Sequence, residues 1–434
     1  MDKMADVLGR AGAWCGQNKY LSAIKNAFQN FMPLTIAGAI GVLWCNVLVN
    51  ESTGLGIFFK PIMALEFLNP AFQAVNFCTI SCITVGITLG IAQEIGVWNM
   101  GAEKAGYIPG LVGLAAWLSV TNTSHMVDGA KEAFTGVAGN ELGATGLFTG
   151  MIIGVLSVEL FCFFEKQDAL KIKMPEQVPP GVARAFEVLV PATITLIITA
   201  CIGSACYNLT GLYLNDVIKN GIQGPLGAVG ATIPGVMIIY LVIMLFWLVG
   251  IHGNNMLSAV KEALFTPLAL ENVEAFNKGE TPKNIINMYA LQMWGEFGGS
   301  GVTIGLVIAI MIFGKREDNK AIASLSLVPG LFNINETVTF GVPMVLNPIL
   351  GIPFVVAPLV TIIIGYVLTV IGFCPVACLT VPWTTPPIVF GFLACGANVM
   401  GAVTQAILIV VSTVIYTPFL IAYEKYQNKQ AAEA

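Results

Sequence analysis

The chain has 434 residues, 56% of them hydrophobic and 10% charged. A soluble domain carries roughly 25% charged residues, so an ordinary aqueous globule is excluded and a polytopic membrane protein is expected. The formal net charge of −5 is small beside that apolar mass, and no basic run interleaved with aromatics occurs, so nucleic acid is not an expected partner.

The first 30 residues lack the apolar core of a signal peptide. Trp14, Leu21, Ile24 and Phe28 recur at near-helical spacing with Lys19 and Lys25 between them, which predicts an amphipathic helix on the cytoplasmic interface over residues 1–30. A span needs about 20 apolar residues; candidates follow at 31–50, 72–95, 106–120 and 143–164. The next stretch, EKQDALKIKMPEQVPPGVARAF, holds Lys166, Lys171, Lys173 and Arg184, and this densest basic cluster is assigned to the cytoplasm. Four spans then return the N-terminus, with Lys3 and Arg10, to the same side.

Further spans are expected at 188–207, 233–250 and 301–313. Lys315, Arg316 and Lys320 follow the last of these, and the tail begins EKYQNK; both are cytoplasmic by charge, so both termini are. Between residues 320 and 424 the number of crossings must be even, and 352–373 with 399–422 suffice. The apolar pieces 327–350 and 376–396 are rich in Pro and Gly and are therefore drawn as re-entrant hairpins. Between 250 and 301 one more crossing is required, and 285–297 is too short to supply it. The expected division is a scaffold half over 31–210 and a substrate half over 211–434, as transporters use. The ten cysteines are scattered. Cys78/Cys82 and Cys374/Cys378 lie one helical turn apart, which suits core packing better than metal binding or disulfides.

Glu336 is the one charge between Ala321 and Tyr423. Ionising it at the bilayer centre costs roughly 3 kcal/mol or more, and such groups are functional by default. Pro329, Gly330, Gly341, Pro343 and Pro348 break any helix drawn through its segment, and Asn333, Asn335, Thr337 and Thr339 supply hydrogen-bonding groups. Broken backbone at membrane depth is tolerated where it is buried in protein or lines a wet cavity. His252 is the second anomaly, flanked by Gly250 and Gly253 at the end of a span; its bland alternative is a histidine bonded to a neighbouring carbonyl. His125 falls in an external loop, where the bland reading prevails. Trp383, in VPWTTPP, suits stacking on the apolar face of a sugar ring, with simple packing as competitor; Trp247 is balanced between the two. Trp294 and Glu296 sit in a segment of uncertain placement. The run Gly298, Gly299, Ser300, Gly301 fits a loose GxSG pattern, a weak signal for a serine protease in a chain with 46 glycines. No Walker motif, metal cluster or dinucleotide fingerprint is present, so no cofactor is expected.

The chain resembles the membrane-embedded IIC components of the bacterial sugar phosphotransferase system, in the lactose, cellobiose and diacetylchitobiose family. SAIKNAFQNFMPLTIAGA, GIHG, FGGSGVTIGL, LFNINETVTFGVPMVLNPILGIPF and VPWTTP carry the resemblance over nearly the whole chain. It implies an all-α fold of about ten transmembrane helices with two re-entrant hairpins and interfacial amphipathic helices. It also implies a homodimer in the cytoplasmic membrane, made through the N-terminal half. The implied function is a permease that binds a β-linked disaccharide for phosphorylation by IIB, which IIA recharges. In such proteins the glutamate and histidine bind the sugar, roles that carry over onto Glu336 and His252, both also candidate catalytic groups. Asn335, Asn333, Trp383, Trp247, Gly250 and Gly253 complete the expected site. Some relatives carry a fused IIB domain; here the chain ends soon after the last span, which implies a separate IIB bearing the phosphocysteine. The competing class is a proton-coupled secondary transporter with Glu336 as proton carrier.

Overall fold

Backbone groups in hydrocarbon must be satisfied within their own segment, and the apolar runs of this chain accordingly form helices. The computed structural model describes residues 14, 17–51, 56, 59–125, 133–175, 177–225 and 230–433. Among these, β-structure is confined to Ser124–His125 (β1) paired antiparallel with Phe134–Thr135 (β2). The protein is an all-helical polytopic membrane protein. Among the described residues, five helices are long and apolar enough to cross a bilayer: Lys19–Leu48, Ala144–Glu165, Pro180–Thr210, Gly351–Val370 and Val399–Glu433. Lys60–Ser81 and Ile83–Met100, bent by 42° at the break between them, make a sixth if the pair is one span. The spans expected at 106–120, 233–250 and 301–313 are helices of 13, 16 and 10 residues. At 1.5 Å per residue these reach about 20, 24 and 15 Å, short of a hydrocarbon core roughly 30 Å thick.

The chain divides into two compact units. The smaller comprises Gln17–Gly38 and Gln73–Gly227, the larger Ala39–Phe72 and Ala228–Ala434. Helix α1 (Lys19–Leu43) shows no break near residue 30 and carries Pro33 inside it, so the expected interfacial segment continues into the first span. Most of residues 1–16 lie outside the described residues. In α1, Leu21, Ile24 and Phe28 are half-buried while Ala23 and Ala27 are buried.

The smaller unit is built on α2 (Ile83–Met100), α3 (Ile108–Val120), α4 (Ala144–Glu165) and α5 (Pro180–Thr210). Small residues let these backbones approach, as membrane helices require: a Cβ on Gly113 would lie 2.3 Å from Cβ of Ala92. Trp117, 1% exposed, packs with Ala116, Val120 and Ile153. At one end of these helices Glu165, 1% exposed, accepts from Lys104 Nζ at 2.8 Å and Arg184 Nη1 at 2.9 Å. Arg184 also pairs with Glu187 at 2.7 Å, and Lys171 with Asp168 at 3.0 Å. In that loop the hydrogen bond from Lys171 holds the Asp168 carboxyl below its ordinary range. The basic cluster 166–184 thus spends Arg184 and Lys171 on internal carboxylates.

The larger unit contains α6 (Ile233–Leu248), α7 (Gly253–Met256), α8 (Ser258–Asn277), α9 (Met288–Gly295) and α10 (Ile304–Phe313). It continues with α11 (Glu317–Leu331), α12 (Glu336–Gly341), α13 (Gly351–Val370), α14 (Val389–Ala394) and α15 (Val399–Glu433). The two segments read as hairpins are broken as expected. The first leaves helix at Phe332, resumes as α12 and unwinds again before α13; the second is non-helical from 371 to 388 and closes with α14. The unplaced interval 251–300 is filled by α7, α8 and α9. Helix α10 lies against α15, where a Cβ on Gly305 would meet Ser412 Oγ at 2.2 Å.

Arg184→Met leaves the buried Glu165 with Lys104 alone, and loss of a hydrogen bond to a charged group costs about 1.5–3 kcal/mol. Thermal unfolding of the purified protein is expected to start at lower temperature; an unchanged midpoint would mean the pair contributes nothing.

Candidate functional site

The polar groups singled out in the sequence gather where helices of the larger unit are interrupted. Helix α6 ends at Leu248, Gly250 takes φ +82, and His252 becomes the N-cap of α7. A side chain at Gly253 would force the backbone to shift, because a Cβ would lie 2.0 Å from the Ile243 carbonyl oxygen. The imidazole Nδ1 of His252 accepts from the Asn255 backbone N–H at 3.2 Å. A neutral imidazole with Nδ1 as acceptor carries its proton on Nε2, and Nε2 faces Glu336 Oε1 at 3.8 Å. Trp247, 2% exposed, lies beneath, its ring 4.5 Å from the His252 ring and edge-on to Phe354. Its indole N–H finds no partner among the described residues.

Glu336 opens α12 with its side chain 47% exposed, and His252 is 36% exposed; both present polar atoms to open space. Asn335 behaves differently. It is 3% exposed and its amide donates to the Ser300 carbonyl at 2.8 Å. Asn333 sits at φ +62, a conformation asparagine tolerates better than most residues. Its Oδ1 accepts from the Gly298 N–H at 2.6 Å, while its Nδ2 donates to the carbonyls of Trp383 and Thr385. One asparagine therefore ties the Glu336 segment to both the Gly298–Gly301 turn and the Trp383 segment. Trp383 itself is 44% exposed. Its segment is clamped from α15 by Gln405, whose Oε1 accepts from Ile388 and Gly391 N–H groups, each at 2.8 Å.

Several groups at this place were not picked out from the sequence. Asn254 Nδ2 donates to Ser300 Oγ at 2.8 Å, and Asn254 Oδ1 accepts from Lys261 Nζ at 3.1 Å. Lys261 is paired with Glu296, which also accepts from Tyr240 Oη at 2.6 Å. Glu296 was visible as a charge without a place; Lys261 and Asn254 carried no signal beyond nearness to His252 in the chain. Among the described residues no group of three or more His, Cys, Asp or Glu is placed to hold a metal ion. In the site-bearing unit the thiols of Cys374 and Cys395 are 3.9 Å apart. His125 lies in the smaller unit, against Phe134.

The profile described as "Phosphotransferase system, EIIC" matches residues 25–358. The chain belongs to the phosphotransferase-system EIIC family. It is 33% identical to the oligo-beta-mannoside-specific EIIC component of Bacillus subtilis, over 98% of this chain and 94% of that protein. It is 30% identical to the cellobiose-specific EIIC component of Lactococcus lactis, over 98% of each. The lactose-specific EIICB component of Staphylococcus aureus is 33% identical over 94% of this chain, which spans 69% of that longer protein. Among solved structures, the transporter ChbC, the IIC component of the N,N'-diacetylchitobiose-specific system, aligns with a TM-score of 0.88 and 30% identity, covering 97% of each chain.

In this EIIC protein Gly253→Ala is expected to destabilise the larger unit by about 1–3 kcal/mol through overpacking. Gly181→Ala, where a Cβ meets nothing within 4 Å, serves as the control. Equal melting temperatures for the two variants would contradict the tight approach of α7 to α6.

Proposed function

We propose that this chain is the permease subunit of a phosphoenolpyruvate-dependent phosphotransferase system. It takes a β-linked disaccharide of the diacetylchitobiose or cellobiose type across the cytoplasmic membrane for phosphorylation by IIB. The observation that carries the reading is the 3.8 Å approach of His252 Nε2 to Glu336 Oε1, at helix breaks of an EIIC-family membrane protein. The gap is too long for a hydrogen bond between the two and wide enough for one hydroxyl oxygen about 2.8 Å from each. Such a hydroxyl donates to the carboxylate and accepts from the imidazole N–H.

The chemistry follows from those polarities. As the sugar oxygen forms its bond to phosphorus and the phosphorus–sulfur bond of the IIB phosphocysteine breaks, the hydroxyl proton passes to Glu336. His252 orients the oxygen and stabilises its developing charge; an Nε2 that already carries a proton cannot serve as the base. Once Glu336 has given that proton up to solvent, the phosphorylated sugar places roughly −1.5 to −2 charge beside a carboxylate, and like-charge repulsion favours release. Trp383, with its exposed ring, offers a stacking face for a sugar ring, and Trp247 supports His252 from below. Asn333 and Asn335 shape the site through the turns they join, and Gly250 and Gly253 let the His252 turn form.

The smaller unit serves as the scaffold through which two copies associate. Lys166, Lys171, Lys173 and Arg184, with Lys315, Arg316 and Lys320, face the cytoplasm by the positive-inside rule, and both termini lie on that side.

Two experiments test these assignments. Glu336→Gln exchanges a charged acceptor for a neutral one, a loss of about 1.5–3 kcal/mol or tenfold to hundredfold in sugar affinity by calorimetry. It should also abolish most sugar-phosphate formation with the soluble partners supplied. His252→Gln keeps an N–H donor and should bind more tightly than Glu336→Gln and retain more turnover; a turnover loss equal to that of Glu336→Gln would make the histidine the base. In vesicles, uptake should require the phosphotransfer proteins and survive collapse of the proton gradient. Uptake that persists without those proteins and stops with the gradient would establish a proton-coupled carrier instead.

A further inference from the structure

A continuous polar chain runs behind the groups that face the sugar. It begins at Tyr240, fully buried, whose hydroxyl donates to Glu296. Glu296 pairs with Lys261, 5% exposed, and Lys261 donates to Asn254 Oδ1 at 3.1 Å. Asn254 Nδ2 donates to Ser300 Oγ at 2.8 Å, and the Ser300 carbonyl accepts from Asn335 Nδ2 at 2.8 Å. Ser300 and Asn335 are 4% and 3% exposed. Midway along this chain, Asn254 lies in the turn that His252 caps; at its far end, Asn335 directly precedes Glu336.

The polarity of each link is forced. An ammonium has donors and no acceptor, so Lys261 compels Asn254 to turn its oxygen inward and its NH2 toward Ser300. Packing space around the Ser300 turn is exhausted, since a Cβ on Gly299 would lie 2.6 Å from Cβ of Asn335. A buried ion pair is a weak source of stability and is often replaceable by apolar residues without loss. What the pair supplies here is orientation.

We propose that Lys261 and Asn254 are positioning residues, which through Ser300 and Asn335 set the separation of His252 from Glu336. This rests on the reading of those two as the sugar-facing groups. It gives the Gly298–Gly301 turn a mechanical role: it is the spacer between the histidine turn and the glutamate turn.

The test is a double-mutant cycle on the full-length purified protein, with calorimetric binding of N,N'-diacetylchitobiose and, as second probe, cellobiose. Asn254→Leu should weaken binding about tenfold on its own, yet by less than about threefold when Glu336→Gln is already present, since coupled residues are non-additive while independent ones add. At saturating sugar, Asn254→Leu should also slow sugar-phosphate formation, because the hydroxyl is no longer aligned with the carboxylate. Native affinity in Asn254→Leu, full multiplication of the two effects, or unchanged saturated turnover each overturn the relay alone. Native affinity in Glu336→Gln overturns the reading of the site, and the relay with it. Should Asn254→Leu not yield folded protein, Ser300→Ala removes just the hydroxyl that Asn254 bonds and is read by the same cycle.

Discussion

The larger unit depends on one turn, Gly298–Gly301, in which three glycines hold φ of +70, +88 and +81. Only glycine adopts such angles without steric cost, and although Gly299 bonds locally to Glu296 and Val302, a backbone so wound leaves other polar groups without the partners a helix supplies. Those groups are met from elsewhere: Gly298 N–H by Asn333, the Ser300 carbonyl by Asn335, and the Gly301 carbonyl by Tyr416 Oη at 2.8 Å. Asn254 adds the Ser300 hydroxyl. Four side chains from the histidine turn, the glutamate turn and α15 thus converge on these four residues, three of them on backbone groups. The hydrogen-bond requirement of a dry environment draws the elements of the site together.

The same requirement explains where strain collects. Asn333, Leu346, Ile388 and Ala397 take positive φ without being glycine, and all lie on the segments around the interrupted helices. Such conformations persist where surrounding contacts over-determine them: Leu346 N–H donates to the Leu248 carbonyl at 2.8 Å, and Ile388 N–H to Gln405. Functional groups placed on a frame held in this way keep their separation. The proposed sharing of one hydroxyl between His252 and Glu336 calls for precision more than for flexibility.

The smaller unit solves a different problem. Its helices meet through Gly113, Ala92 and similar small residues, with Lys104, Arg184 and Glu165 closing one end. Arg184 and Lys171, two of the four basic residues of the 166–184 stretch, are answered by carboxylates of the same unit. Its paired charges close the ends of the helices.

The class of the molecule, its helical segments and its two most telling groups were legible in the residues. An apolar composition leaves few places for a charge, so Glu336 and His252 stood out by isolation, and Pro and Gly marked the breaks around them. Asn335 was legible as a polar neighbour but not in its task, since its amide is spent on Ser300. Helix α8 was hidden because Lys261, Glu262, Glu271 and Glu274 spoil its apolar signal, and the three short helices looked in sequence like full spans. The Gly298–Gly301 run read as a weak motif and emerged as the hub. What the sequence by itself determined was where polarity is exceptional, because desolvation acts on each residue singly. Which polar groups answer one another was decided by the tertiary structure alone: Asn254 and Ser300 are 46 residues apart, Gly298 and Asn333 35, and hydrogen bonds of that reach leave no periodicity in a chain.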